Sequence, residues 1–190
     1  MKRNLTTAIL MTLATTILLG LIYPLVITGI AQLVFRDKAN GQLIVRNGDT
    51  IGSRLIGQPF VSEGYFHSRP SAAGNGYDAA NSGASNLGPT NQKLIDRIKI
   101  DTAAAQADNP GTPVPIDLVT SSASGLDPDI TPAAALFQVP RIAKRRNLSE
   151  QAVRALVQAH VQRRQFGILG EPRVNVLELN LALDQQSRAK

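Results

Sequence analysis

The 190-residue sequence contains no cysteine and no tryptophan, and only two histidines. The lack of cysteine excludes disulfides, cysteine-ligated zinc and thiol catalysis, and is compatible with either redox compartment. Aromatic residues are few, with three Tyr and five Phe, and the net charge of +6 is segregated along the chain. Nucleic-acid binding, which favours basic patches interleaved with aromatics, is therefore not expected.

Several catalytic motifs are also missing. No Gly-Lys dipeptide, Asp-Lys-Thr-Gly or Gly-x-Ser-x-Gly sequence occurs, which excludes a lysine-bearing phosphate loop, a phosphorylated-aspartate motif and a nucleophile elbow. His160 falls on the apolar stripe of a predicted helix and is interpreted as a core residue, whereas His67 is either a surface contact or a packing group. We predict no catalytic residue and no metal site.

One long apolar run stands out in this otherwise polar chain. Leu5 to Phe35 spans 31 residues without an ionisable side chain. As a helix it would be about 46 Å long, enough to cross a hydrocarbon core of about 30 Å. A cleavable signal peptide has an apolar region of only about 7 to 15 residues, so a retained anchor is favoured. Lys2 and Arg3 at one end and Arg36 and Lys38 at the other give only a weak preference for orientation.

Small or helix-perturbing residues recur at every fourth position of this run. Such a ridge allows another helix to approach closely, although membrane helices are rich in small residues for other reasons too. Proline in the helix removes one backbone hydrogen bond and predicts a kink. The ridge consists of Ala8, Thr12, Thr16, Gly20, Pro24 and Thr28.

The sequence predicts two parts, a tail and anchor over residues 1–38, with the span at about 9–33, and an α+β domain over residues 39–190. Asn47-Gly48 predicts a type I′ hairpin between residues 42–46 and 50–56. Capping residues predict helices after Asn91, Thr131 and Ser149, the last continuing to Gly167. Residues 114–120 predict a strand, and 173–183 a bulged strand or a strand that changes into a helix.

Two further stretches have unusual composition. Residues 57–92 are rich in Gly and Asn, typical of a linker, but they hold four of the eight aromatic residues, which favours an ordered loop folded on the domain. Asp127 and Asp129 lie in an acidic stretch, where turn chemistry competes with attraction of a hard cation such as K⁺.

A third stretch, residues 141–164, is strongly basic and could meet phosphates, anionic lipid or an acidic protein, or form a solvated helix face. Within it, Leu148 to Gln151 invites comparison with an ATP-contacting transporter signature but lacks both of its glycines. Ser149 and Gln151 are nucleotide-contact candidates, and helix capping explains Ser149 without ATP.

Seven groups of residues, spread over nearly the whole chain, resemble the C subunit of the Kdp-type potassium-transporting P-type ATPases of bacteria and archaea. They are Tyr23-Pro24, Gly52-Ser53 with Gly57-Gln58, Phe66 to Ser71, Ser82 to Asn91, Ser122 to Pro128, Val139 to Ala143 and Val174 to Asn180.

The resemblance implies a non-catalytic subunit in the cell membrane, joined to a channel-like K⁺-binding subunit, an ATP-hydrolysing P-type subunit and a small single-helix subunit. It implies ATP and K⁺ as ligands of the complex, and a role as a catalytic chaperone that raises the ATP affinity of the hydrolysing subunit. It also places the N-terminus in the cytoplasm and the α+β domain outside it. The alternatives are a membrane-anchored hydrolase and a nucleotide-binding regulator with a cytoplasmic domain.

From the resemblance we expect the domain to dock over the K⁺ entrance. The expected contact residues are Phe66, His67, Arg69, Tyr77, Asn86 and Asn91. Asp127 and Asp129 would then enrich K⁺ near the entrance, an effect that salt would screen over about 10 Å.

Overall fold

The computed structural model describes residues 2–188, with side chains described up to residue 186. Two compact units divide between Leu43 and Ile44, a few residues beyond the boundary that the sequence suggested. The mixture of helices and short strands confirms the α+β class. We call the second unit the C-terminal domain.

The first unit is one long helical rod. It comprises α1 (Lys2–Thr15), a π-helical segment (Thr16–Ile22) and α2 (Tyr23–Val34), followed by the single turn α3 (Arg36–Ala39). The rod is long and apolar enough to cross a membrane, and no residue of it is buried within the protein. Its surface must therefore be covered by lipid or by other proteins.

The π-helical segment ends at Ile22, two residues before Pro24, where the sequence predicts a kink. Proline has no N–H, and its ring collides with the carbonyl four residues earlier, here that of Gly20. The wider turns relieve this crowding, and the N–H of Tyr23 donates to the carbonyl of Leu18, an i→i−5 bond. The step from Thr16 to Gly20 lies within the wider turns, so the row of small residues changes its inclination there.

The predicted hairpin lies at the start of the C-terminal domain, whose first residue, Ile44, is the second residue of the first strand. β1 (Leu43–Arg46) pairs with β2 (Asp49–Ser53). Asn47 and Gly48 both have positive φ, at 54° and 89°, as a type I′ turn requires.

The remaining regular elements follow a long irregular segment. They are α4 (Gln92–Asp108), β3 (Asp129–Ile130), α5 (Pro132–Phe137), α6 (Val139–Arg146), α7 (Glu150–Ala159), β4 (Val161–Gln162), β5 (Arg173–Asn175) and α8 (Val176–Arg188). Two 3₁₀ turns, Ala79–Asn81 and Ile116–Leu118, lie in the connections.

The three short strands β3, β5 and β4 form an antiparallel sheet in that order. Val174 is central to it, pairing with Ile130 on one side and Val161 on the other. Helices α5 to α8 pack around this sheet and bury Ile142, Val153 and Leu179 completely. The core is thus made mainly by the last third of the chain.

All three predicted helix caps are confirmed. The side chains of Asn91, Thr131 and Ser149 accept hydrogen bonds from N–H groups in the first turns of α4, α5 and α7, at 2.9, 3.2 and 3.2 Å. Each bond satisfies one of the donors that a helix start leaves free. The predicted change from strand to helix is confirmed as well, between Asn175 and Val176.

Two predictions of secondary structure are wrong. Residues 114–120 hold a 3₁₀ turn at Ile116–Leu118 instead of a strand, because Pro115 cannot donate to a ladder and Ile116 faces solvent. Helix α7 ends at Ala159 and does not reach Gly167. Val161 and Gln162 leave the helix to pair with β5, so strand pairing overrides the continuing helical pattern.

The segment from residue 57 to 91 has little regular structure, yet it is packed on the domain. Phe66 and Ala73 are fully buried. The buried side-chain amide of Asn180 accepts from the N–H of Phe66 at 2.8 Å and donates to its C=O at 3.0 Å. Gln138 does the same for His67, at 2.8 and 3.0 Å. We call this pair of interactions the carboxamide clasp; it satisfies backbone groups that no strand or helix serves.

Replacing Asn180 should therefore destabilise the domain strongly. Asn180→Ala leaves a buried N–H and a buried C=O of Phe66 without partners, and each such group costs about 1 to 3 kcal/mol. We expect the free energy of unfolding of the full chain in nanodiscs, from urea titration followed by circular dichroism, to fall by about 2 to 5 kcal/mol. Asn81→Ala, which removes only an exposed bond to Asp78, should change it by under about 0.5 kcal/mol. Equal effects would contradict the role of the clasp.

Candidate functional site

One cleft of the C-terminal domain, which we call the main cleft, lies between the irregular segment, α4 and the start of α6. It has a volume of about 570 Å³ and is lined by residues that include His67, Arg69, Tyr77, Asp108 and Arg141. Three of these, His67, Arg69 and Tyr77, belong to the predicted contact set. The cleft is therefore the place where the sequence-based candidates and the geometry coincide.

Arg141 is the most buried cation of the cleft, at 9 % exposure. Its Nε lies 2.9 Å from the Asp108 carboxylate, its Nη1 donates to the carbonyls of Glu63 and Tyr65, and its Nη2 donates to Gln138. Burial lowers the pKa of Arg141, and Asp108 opposes that shift. Because the guanidinium is committed to these partners, it supports the backbone of the segment and the clasp and is not presented to an anion.

The surroundings of His67 favour its neutral form. Burial lowers its pKa, and the charge of Arg141 acts in the same direction. Its Nε2 lies 3.0 Å from the carbonyl of Ser62, so Nε2 carries the proton. The other histidine, His160, likewise directs Nδ1 to a backbone carbonyl, that of Leu156 at 2.9 Å. Both imidazoles thus have contacts to the main chain, which is a packing role and gives no support to a hydrolase.

Arg69 connects the irregular segment to Thr120 and Asp127 through hydrogen bonds. Its Nε and Nη2 donate to the carbonyl and hydroxyl of Thr120, both at 3.2 Å, and its Nη1 donates to Asp127 at 3.1 Å. The hydroxyl of Tyr77 donates to the carbonyl of Arg69, and burial raises the pKa of Tyr77. These half-buried side chains therefore fix the shape of the loop.

Both acidic candidates are paired with arginine. Asp127 lies beside Arg69, and Asp129 lies 2.9 Å from Arg173. Burial raises the pKa of Asp129, with Asp127 adding to the shift and Arg173 opposing it. In the part of the chain that the structure describes, no group of three His, Asp or Glu side chains is placed to hold a metal ion. The two pairs offset the negative charge that cation enrichment would require.

Three groups of residues that carry the family resemblance meet at a close backbone contact. Gly125 has φ +66°, and a Cβ on it would lie 2.6 Å from the N of Ala73 and 2.8 Å from the carbonyl of Gly83. Ser71 donates to the carbonyl of Gly125 at 2.6 Å, and Gly83 donates to that of Ser124 at 2.9 Å. The turn at residues 122–125 is thereby locked against both halves of the irregular segment.

The remaining candidates lie elsewhere. Phe66 was expected on a contact surface, and this is wrong because its side chain is fully buried in the core. Asn86 and Asn91 are exposed, and Asn91 is also the cap of α4. The Ser149 hydroxyl caps α7, and Gln151 is exposed on the first turn of that helix. The hydrogen bond of the Ser149 hydroxyl is to its own helix, so a bound nucleotide is not needed to explain this residue.

Sequence reasoning gave no role to Gln138 or Asn180, and it placed Arg141 only in the basic stretch of residues 141–164; these three side chains organise the cleft. A signal was present for two of them, because Arg141 and Asn180 stand within groups of residues quoted for the family resemblance. Each is a polar residue between apolar neighbours in a helical pattern, which is how a buried hydrogen-bonding residue looks in sequence.

The fold and the cleft together define a membrane-anchored protein whose small α+β domain uses its polar interior for structure. The chain matches the family model described as K⁺-transporting ATPase, c chain, over residues 5–185. It is 65 % identical to the potassium-transporting ATPase KdpC subunit of Koribacter versatilis, over 97 % of this chain and 95 % of that protein. It is 62 % identical to the KdpC subunit of Acidobacterium capsulatum, over 96 % and 98 % respectively.

This chain therefore belongs to the K⁺-transporting ATPase c chain family. It is a membrane-associated subunit of a P-type potassium-transporting ATPase, and other subunits are its partners.

The contact at Gly125 predicts a difference between two glycines that both have positive φ. Gly125→Ala adds backbone strain and a clash with main-chain atoms of Ala73 and Gly83, whereas Gly111→Ala, at φ +78° with nothing within 4 Å, adds strain alone. We expect Gly111→Ala to cost about 1 to 2 kcal/mol and Gly125→Ala about 1 to 3 kcal/mol more. Urea titration of the two variants of the full chain measures the difference. Equal losses would show that close approach at Gly125 is unimportant.

Proposed function

We propose that this chain is a non-catalytic accessory subunit that helps to assemble and stabilise an ATP-driven K⁺ uptake complex. The observation that carries the proposal is the use of its polar side chains: the arginines, amides and histidine of the main cleft are bonded to the chain's own backbone and carboxylates. A site of that kind supplies a rigid surface, while ATP hydrolysis requires groups that are free to act on phosphates.

The proposed partners are the channel-like K⁺-binding subunit, the ATP-hydrolysing P-type subunit and the small single-helix subunit. The anchor would pack on the channel-like subunit through its row of small residues. In the C-terminal domain, the exposed part of the predicted contact set is Asn86 and Asn91, so the proposed contact surface includes residues 82–91. With Phe66 in the core and Arg69 bonded to Asp127, the rest of the segment supports this surface from behind.

We place the N-terminus in the cytoplasm and the C-terminal domain outside it. ATP is then on the opposite side of the membrane, and any increase in the ATP affinity of the hydrolysing subunit must pass through contacts between subunits. The committed hydroxyl of Ser149 agrees with this indirect route. Because Arg69 and Arg173 offset Asp127 and Asp129, we assign the domain a role in assembly before one in K⁺ capture.

Reconstitution from purified subunits tests the proposed function. We expect the chain alone to hydrolyse neither ATP nor a model ester, because Arg69, Gln138 and His67 of its cleft are bonded to the chain's own backbone and side chains. Adding it to the other three subunits should raise the yield of K⁺-dependent ATPase several-fold. Omission of each other subunit in turn serves as the control. Full K⁺-dependent activity without this chain, or ATP hydrolysis by the chain alone, would contradict the proposal.

The proposed topology has a direct test because the chain contains no cysteine. Gln151→Cys, on the exposed start of α7, should react with a membrane-impermeant maleimide in intact cells. The matched variant Asn4→Cys, near the N-terminus, should react only after permeabilisation. The reverse pattern would place the domain in the cytoplasm and favour the nucleotide-binding regulator.

A further inference from the structure

The connection between β4 and β5 carries the most exposed large apolar side chains of the C-terminal domain beyond α7. Phe166 is 91 % exposed, Ile168 is 75 % exposed and Leu169 is 55 % exposed. We call residues 166–169 the apolar tip. Surface apolar residues are common singly, but three within four positions of one turn call for an explanation.

The tip is a formed turn held by its own backbone. Gln165 and Leu169 exchange two N–H···O=C bonds of 2.9 Å, and Ile168 N–H donates to the carbonyl of Gln165 at 3.1 Å. At the base of the hairpin, Arg164 places one Nη2 2.6 Å from both carboxylate oxygens of Glu171. The tip therefore projects its side chains in a defined direction.

Phe166 is an unfavourable residue type for the backbone conformation of this turn. It has φ +52° and precedes Gly167 at φ +78°. Two successive positive φ values favour Asn, Asp or Gly, and a bulky aromatic is strained there. An exposed residue that opposes its own turn chemistry, with no burial inside the domain to offset the strain, points to a role outside the domain.

We propose that the apolar tip docks into an apolar pocket on another subunit of the same K⁺-transporting ATPase, with Phe166 as the anchoring side chain. The proposal rests on the assembly role proposed above and names a surface that the family resemblance did not identify. Aromatic residues that project from a fixed turn into a partner pocket are typical binding hot spots. The family membership of the chain supplies the partner class.

The exposed area of the tip favours another subunit over a second copy of the chain as the binding partner. The three side chains present roughly 400 Å², taking about 150 to 250 Å² for each large side chain and its exposed fraction. Two tips in symmetric contact would bury about 800 Å² in total, which is the range of non-specific contacts. On a larger subunit surface the same tip is one part of a wider interface, and shared anchoring in one membrane raises its effective concentration.

Charge and geometry favour another subunit over a lipid surface as the binding partner of the tip. Binding to anionic headgroups needs unpaired basic residues beside the apolar ones. Of the two basic residues that directly precede the tip, Arg163 and Arg164, the second is instead paired with Glu171. A bilayer also accepts any apolar side chain in many orientations, so it gives no reason to hold an aromatic at positive φ.

Phe166→Asn distinguishes docking from a structural role, because Asn suits the turn better than Phe. The thermal midpoint of the full chain in nanodiscs should stay level or rise. Its Kd for the purified complex of the other subunits should increase about tenfold or more. Phe166→Tyr should restore binding, and Ile116→Asn, at an exposed position in another turn, should leave it unchanged. Unchanged binding by a folded Phe166→Asn chain would overturn the proposal, whereas no binding by the unaltered chain would overturn the assembly role itself.

Photocrosslinking identifies the occupant even where Phe166→Asn fails to fold. Phe166→Cys in this cysteine-free chain carries a benzophenone maleimide, and the labelled chain is irradiated with the purified subunits in nanodiscs. We expect an adduct with one other subunit that is absent for labelled Ile116→Cys. Adducts with lipid, or a crosslinked dimer of this chain, would overturn the proposal.

Discussion

The carboxamide clasp is the interaction on which the C-terminal domain depends. A segment of some 35 residues with almost no regular structure cannot satisfy its own backbone, yet Phe66 within it is fully buried. Asn180 and Gln138 supply the donors and acceptors that a neighbouring strand would otherwise supply. Arg141 then braces the clasp by donating to Gln138 and to the carbonyls of Glu63 and Tyr65.

This arrangement determines what the main cleft can do. Its guanidinium groups donate to backbone carbonyls and carboxylates, burial lowers the pKa of its histidine, and its tyrosine hydroxyl donates to a backbone carbonyl. Hydrogen bonds of this kind between side chains and the main chain rigidify their surroundings. The rigid irregular segment presents residues 82–91 in one shape, which suits recognition by a neighbouring protein.

The local features of the fold could be predicted from the sequence because they depend on local chemistry. Side-chain caps at Asn91, Thr131 and Ser149 and the turn at Asn47-Gly48 each rest on residues within a few positions of one another. The errors came where distant groups decide. Val161 leaves a continuing helical pattern to pair with Val174, and Phe66 is drawn inward by an amide 114 residues away.

The same contrast between local and distant interactions applies to the functional residues. The ion pairs of Asp127 and Asp129 with Arg69 and Arg173 join partners far apart in sequence, so an acidic stretch looked more negative than the folded surface is. The exposed Phe166 was hidden for the opposite reason, since a strong helical pattern continued through its neighbourhood and obscured a hairpin.

The apolar surfaces that the fold leaves exposed indicate where the partners of the protein bind. The guanidinium of Arg69, the amide of Gln138 and the imidazole of His67 in the cleft are bonded internally, so these groups offer little to a ligand. Two apolar surfaces, in contrast, gain nothing from the fold: the anchor, with no buried residue, and the tip around Phe166. The first requires lipid or other helices, and the second carries strain that the domain itself does not offset. Both features favour a protein that acts through contact with its neighbours, with chemistry performed elsewhere in the complex.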